Sequence, residues 1–222
     1  MIAHPPRSVL ISTIIHRPNL HIHQLNDAQL FRAAIIEAKK INSHSAYVHL
    51  CDETEYANGK MFMINDGTAM VAVKSNGTIV SVIKNPKLAK HDGLRHINRE
   101  LMLTALRHGG NQIDCFDGFP PRLYARFGFF PVCRLAFDDE FAPTDWNFDR
   151  DGRPDIIFMI HNGDRLATVE SKHDHGRFPP YDQLLYSPPL VSDYTEAMNL
   201  VSMKQTALQN RLRAERETQF YD

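Results

Sequence analysis

The stretch best suited to chemistry is Leu123-Tyr124-Ala125-Arg126-Phe127-Gly128-Phe129-Phe130-Pro131. Gly118-Phe119-Pro120-Pro121-Arg122 precedes it and an apolar strand follows. Two prolines open a short helix there, because a missing N–H costs nothing in a first turn. Gly128 stops that helix. Tyr124 then holds a phenolic hydroxyl at a fixed place beside a sheet, which suits a general acid. The other reading of the same residue is a half-buried aromatic that packs the helix on the sheet.

Positioning that hydroxyl takes a domain. The 222 residues suit one domain of ordinary size with room for an appendage, and a 43% apolar fraction can fill its core. The formal net charge of −1 provides no global field to recruit nucleic acid or an anionic membrane. Cys51, Cys115 and Cys133 lie far apart without a Cys-x-x-Cys pair, and they read as reduced, buried thiols of a cytoplasmic protein. The apolar run Val9–Ile15 contains Ser12 and Thr13 and is too short to span a bilayer.

Residues 1–19 read as an N-terminal arm or added strand, 20–162 as the main domain, and 163–222 as a loop and C-terminal helix extension. Asn26 or Asp27 caps a helix whose stripe is Leu30, Phe31, Ala34, Ile35, Ala38 and Ile41. A weaker helix covers Thr54–Gly59. Strands Lys60–Ile64, Thr68–Lys74 and Thr78–Lys84 form an antiparallel meander joined at Asn65-Asp66-Gly67 and Ser75-Asn76-Gly77. After a loop, Asn85–Asp92, the pattern predicts a helix from about Leu94 to His108, stopped by Gly109-Gly110. Strand Gln112–Phe116, the tyrosine helix, strand Phe129–Phe137, a polar loop Ala142–Pro154 and strand Asp155–His161 complete the domain. In the tail, Ser192 or Asp193 caps a mostly polar helix reaching about Glu217, which packs on the domain or serves a partner or self-association.

Over roughly residues 20–162 this order resembles the Gcn5-related N-acetyltransferase (GNAT) superfamily. The family pattern Asn-x-x-Ala-x-x-Leu-Tyr-x-x-x-Gly-Phe stands here as Asp117-x-x-Pro120-x-x-Leu123-Tyr124-x-x-x-Gly128-Phe129. The family's phosphate loop, Gln/Arg-x-x-Gly-x-Gly/Ala, corresponds to Lys90-His91-Asp92-Gly93-Leu94-Arg95. Lys90 stands for Gln or Arg, and Arg95 replaces a small residue; it either grips a phosphate or occludes the cofactor.

The resemblance implies an α/β (α+β) fold: a central mixed, mostly antiparallel sheet flanked by helices, plus a C-terminal helical tail. It implies an N-acetyltransferase that moves an acetyl group from acetyl-CoA to a primary amine on a small molecule or protein. Lys90, His91, Gly93, Leu94 and Arg95 would meet the pyrophosphate at a helix start. Backbone N–H groups around Val82 and Ile83 would polarise the thioester carbonyl, and Tyr124 would serve the leaving thiolate. Asp117 would be the base, ahead of Asp114 and Glu100, unless it only caps the next helix. Strands Thr78–Lys84 and Gln112–Phe116 would splay. Two other readings keep the fold: a non-catalytic binding module, and a nucleobase-modifying enzyme. Nucleic acid is not an expected partner, since no basic stretch appears.

No metal is expected. His21-x-His23 and His173-x-His175 lack a third ligand at a recognisable spacing, and His96 with Glu100 reads as a surface pair. Asn147-x-Asp149-x-Asp151-Gly152 imitates a calcium loop, but Phe158 stands where a glutamate is needed, so it reads as a turn between strands. Cys115 and Cys133 lie in apolar strands, where burial raises a thiol pKa.

Overall fold

The computed structural model describes residues 10–12, 20–91, 97–163 and 188–219. The chain divides into two compact units, Met1–Gly110 with Pro143–Asp145, and Asn111–Ala142 with Trp146–Asp222.

The first unit carries a five-stranded sheet in the order β1 (Leu10–Ser12), β2 (Ile22–Leu25), β3 (Lys60–Ile64), β4 (Ala69–Val73), β5 (Ile79–Lys84). Every neighbouring pair in it is antiparallel. The two Asn/Gly turns close β3–β4–β5 as the sequence predicts, with Asn65 itself at φ 46°. The β2 strand was not legible, because His23 and Gln24 interrupt its apolar pattern; pairing of Ile22 with Ile64 and Leu25 with Met61 defines it instead.

Helix α1 (Ala28–Ile41) starts on Asp27, whose carboxylate accepts the Leu30 N–H at 2.9 Å. It buries Phe31, Ile35 and Ala38 in a core with Met61, Met63, Met70 and Ile83. Lys39, in its last turn, donates to the carbonyls of Ser45 and Val48, each at 2.6 Å. Burial pulls the Lys39 ammonium pKa down, against the attraction of Asp145. Helix α2 (Glu53–Ala57) is locked by a capping box between Asp52 and Glu55.

The predicted loop Asn85–Asp92 is instead mostly helix α3 (Pro86–His91). Asn85 Oδ1 accepts the N–H groups of Lys87 and Leu88 at 3.1 and 3.2 Å, and Pro86 fills the first turn. Asn-Pro is thus a helix start here rather than a turn. Helix α4 (Ile97–Arg107) ends in a Schellman turn: the Gly110 N–H donates to the Ala105 carbonyl and the Gly109 N–H to that of Leu106, with Gly109 at φ 103°. Glu100, read from sequence as a surface group, is 3% exposed, with Arg99 Nη1 2.9 Å from its carboxylate.

The second unit carries β6 (Gln112–Phe116), β7 (Phe129–Leu135), β8 (Ile156–His161) and β9 (Leu190–Val191), ordered β6-β8-β7-β9. The β9 strand runs parallel to β7 and the other pairs are antiparallel. Alternation along β8 assigns its two faces. Phe158 and Ile160 join Val132, Cys133, Ala197 and Val201 in one cluster, under α7 (Tyr194–Gln219). On the other face His161 meets Phe129, and Phe129 meets Tyr124 of α5 (Phe119–Ala125).

Helix α7 is capped by Asp193, which accepts the Glu196 N–H at 2.8 Å. The predicted polar loop Ala142–Pro154 contains a short helix, α6 (Phe148–Asp151), capped by Asn147 through the Arg150 N–H at 2.9 Å. Its Asn147–Gly152 segment is a connection between β7 and β8, as the turn reading expects. Trp146 is buried against Phe116 and Phe137.

The fold class is the expected one, mixed α/β with mostly antiparallel strands, flanking helices and a C-terminal helix. The expected single central sheet is corrected: the described strands form two sheets, and β5 and β6 belong to different ones. Among the described residues, no helix is long and apolar enough to cross a membrane.

Candidate functional site

Among the described residues two tyrosines are buried, one in each unit, and their hydroxyls are treated differently. Tyr56 is 1% exposed and its hydroxyl is fully engaged. It accepts the Cys51 N–H at 3.2 Å and lies 2.6 Å from Ser81 Oγ, which in turn donates to the His49 carbonyl at 3.3 Å. Burial pushes the Tyr56 phenol up from its ordinary value of 10 to about 12, against the hydrogen bond it shares with Ser81.

A folded-state pKa raised above the unfolded one means that the native state keeps the proton longer. The stabilisation is complete below pH 10 and is lost as pH rises through about 12. Chemical denaturation in that window should therefore show stability falling, and falling less steeply in Tyr56→Phe. An identical slope in the two proteins would reject this assignment.

Ser81 is where the meander breaks its regularity. Ala72 faces Val80 and Met70 faces Ile83, so Ser81 and Val82 together oppose Val71 alone. This is a β-bulge, and Ser81 sits at φ 57°, strained for a residue with a side chain. The contacts with Tyr56 and His49 hold it there.

The ladder beyond the bulge resumes with the Asn85 N–H donating to the Thr68 carbonyl at 2.8 Å. By the two-residue alternation of an antiparallel pair, Ile83 turns its N–H toward β4. Val82, the other residue expected to polarise a carbonyl, lies in the bulge itself. The β5 strand is also the outer strand of its sheet.

Tyr124 is 8% exposed on the Pro-initiated helix α5, with Gly128 at φ 84° turning the chain into β7. Burial holds its phenol far above the usual value, and the nearby Cys115 and Asp114 of β6 push the same way. Among the described residues nothing hydrogen-bonds to this hydroxyl. Such a group stays protonated across the physiological range. It is a hydrogen-bond donor there, and a full proton transfer from it to a thiolate runs uphill.

Asp117 ends β6, where its N–H donates to the Asp155 carbonyl at 2.7 Å and its own carboxylate accepts the Gly118 N–H at 2.7 Å. That is a local turn contact at the entry to α5. Burial and the carboxylates of Asp114 and Asp117 raise the Cys115 thiol well above its ordinary value. Burial lifts Cys133 to about 11. Both thiols are poor nucleophiles, as their strands imply.

Lys90 is exposed on α3 and His91 is that helix's last residue. Gly93, Leu94 and Arg95 lie outside the described residues, as do His96, His173 and His175. His21 and His23 stack at 6.4 Å between ring centroids. The structure also gathers three residues to which the sequence assigns no joint role. One donor atom each from His49, Cys51 and Glu55 lies within 4.8 Å of the others. The spacing His-x-Cys-x-x-x-Glu was the available signal, and it matches no common ligand pattern.

The fold defines a mixed α/β protein with mostly antiparallel sheets and covering helices. No family model matches the sequence, and no curated protein matches it either. Among solved structures, the chain is similar to a probable acetyltransferase of the GNAT family from Chromobacterium violaceum ATCC 12472, at 14% identity and a TM-score of 0.36. The alignment covers 69% of this chain and 95% of that one. A likeness at this level carries nothing over about substrate or chemistry.

Proposed function

We propose that the protein is an acyl-coenzyme A-dependent N-acyltransferase, in the simplest case moving an acetyl group from acetyl-CoA to a primary amine. The observation that carries this reading is the bulge at Ser81–Val82. The sequence resemblance assigns carbonyl polarisation to this point of the strand, and here the strand breaks its ladder under local strain. The bulge sets Ser81 and Val82 apart from the regular strand, and a backbone amide already fixed in place stabilises developing negative charge without reorganising.

In the reaction the amine nitrogen bonds to the acyl carbon and the carbon–sulfur bond breaks. Asp117 takes the ammonium proton, directly or through water. The Tyr124 hydroxyl donates a hydrogen bond to the sulfur as charge builds on it, and the thiolate leaves to be protonated. The Val82 N–H meets the carbonyl oxygen. Lys90 and His91, with Gly93, Leu94 and Arg95, meet the phosphates, and the positive charge at Lys90 suits that role.

Thermal melting in a titration of acetyl-CoA tests the reading. A ligand at a hundred times its Kd stabilises the folded state by about 2.7 kcal/mol, which gives a clear rise in Tm. No rise up to millimolar cofactor would overturn the proposal and leave a non-catalytic binding module on the same fold. With binding in hand, thiol release across a panel of amines identifies the acceptor class.

A further inference from the structure

We propose that His49, Cys51 and Glu55 form a binding site for one thiophilic divalent cation of the zinc type. The proposal does not depend on the transferase reading. The three donor atoms come from a seven-residue segment and lie within 4.8 Å of one another. An imidazole, a thiolate and a carboxylate are a normal zinc donor set, and three protein ligands leave a fourth tetrahedral position open.

The backbone behind each ligand is already pinned. The Cys51 N–H donates to the Tyr56 hydroxyl at 3.2 Å, and the Cys51 carbonyl accepts from Arg32 Nε at 3.3 Å. The His49 carbonyl accepts from Ser81 Oγ. Glu55 is fixed from both sides of its capping box, its N–H on Asp52 Oδ1 at 2.7 Å and its Oε2 on the Asp52 N–H at 3.1 Å. Outer contacts of this kind orient metal ligands before the ion arrives.

The accessibility of the three ligands is graded. Cys51 is fully buried, Glu55 is half-buried and His49 is exposed, so an ion enters from the His49 side. A monovalent cation already neutralises the carboxylate, since Lys74 Nζ lies 2.7 Å from Glu55 Oε1. On binding, the Cys51 thiol gives its proton to solvent as the sulfur–metal bond forms, and the Lys74 ammonium withdraws from Glu55. No electron changes hands. Thiolate and carboxylate then balance the two charges of the ion, and Lys74 acts as its competitor.

Cobalt(II) reads the site directly. The full-length protein, freed of metal with a chelator, is titrated with cobalt while the sulfur-to-cobalt charge-transfer band in the near ultraviolet is followed. We expect a one-to-one titration, displaced by zinc. The band should vanish in Cys51→Ser. His49→Ala, which touches an exposed side chain and leaves the core intact, should weaken binding roughly tenfold or more, the scale of losses seen when a metal's surroundings are altered. Lys74→Met should tighten it. Circular dichroism of each variant confirms that it is folded. No charge-transfer band in the wild-type protein, or cobalt binding unchanged by Cys51→Ser, His49→Ala or Lys74→Met, would overturn the site.

Discussion

Replacing Tyr124 by phenylalanine is expected to lower turnover by about 10²- to 10³-fold while leaving the fold and its melting temperature unchanged, the scale of losing one hydrogen-bond donor to developing negative charge. The two halves of this expectation rest on different observations. The loss follows from removing a protonated donor that burial keeps from ionising. The unchanged stability follows from what the hydroxyl does in the free protein. Among the described residues it has no hydrogen-bond partner to orphan, and the ring keeps its edge contact with Phe129 at 6.4 Å.

The pH profile adds an independent check. Because the Tyr124 phenol is held above its ordinary value, turnover should show no alkaline fall from a tyrosine below pH about 10. Turnover preserved in Tyr124→Phe would return the residue to packing. A variant that melts well below the parent would show that the hydroxyl has a structural partner.

The largest stability effect is expected at Phe31. Phe31→Ala should cost about 3–5 kcal/mol, the usual range for emptying a buried aromatic site. Phe31 is fully buried in the core of the first unit and meets the Tyr56 ring edge-on at 5.0 Å. Its loss therefore loosens the residue that holds Ser81 in its strained conformation. Against a typical domain stability of about 5–15 kcal/mol this is a large fraction. Urea denaturation measures it, with Phe119→Ala as the comparison, since Phe119 is 68% exposed and should change little. A loss at Phe31 below about 1 kcal/mol would mean that the core collapses around the gap.

Local signals in the sequence were read correctly where they concerned neighbouring residues. The Asn/Gly turns of the meander, the Asp27 cap, the Gly109-Gly110 stop and the Pro-initiated tyrosine helix all appear at or within a few residues of where the patterns put them. Turn and cap preferences act over three or four residues, so one segment carries all the information they need. Asn85-Pro86 shows the limit of reading such signals: the same dipeptide suits a turn or a helix start, and side-chain capping decided for the helix.

What lay beyond the sequence involved partners distant in the chain. The β2 strand exists because β3 pairs with it, not because of its own pattern. The Ser81 bulge needs Val71 opposite and Tyr56 beneath, and no property of Thr-Ile-Val-Ser-Val-Ile-Lys announces it. Tyr56 and Tyr124 both lie buried on short helices. Only packing engages the Tyr56 hydroxyl with both Cys51 and Ser81 and leaves that of Tyr124 without a partner among the described residues.

The sequence by itself therefore determined the local helices, the meander and their caps and turns, because these follow from periodicity and local punctuation. The tertiary structure decided where β5 bulges out of register and which histidine, cysteine and glutamate meet. Both depend on register and on side chains brought together by folding, and neither is written in any one stretch of the chain.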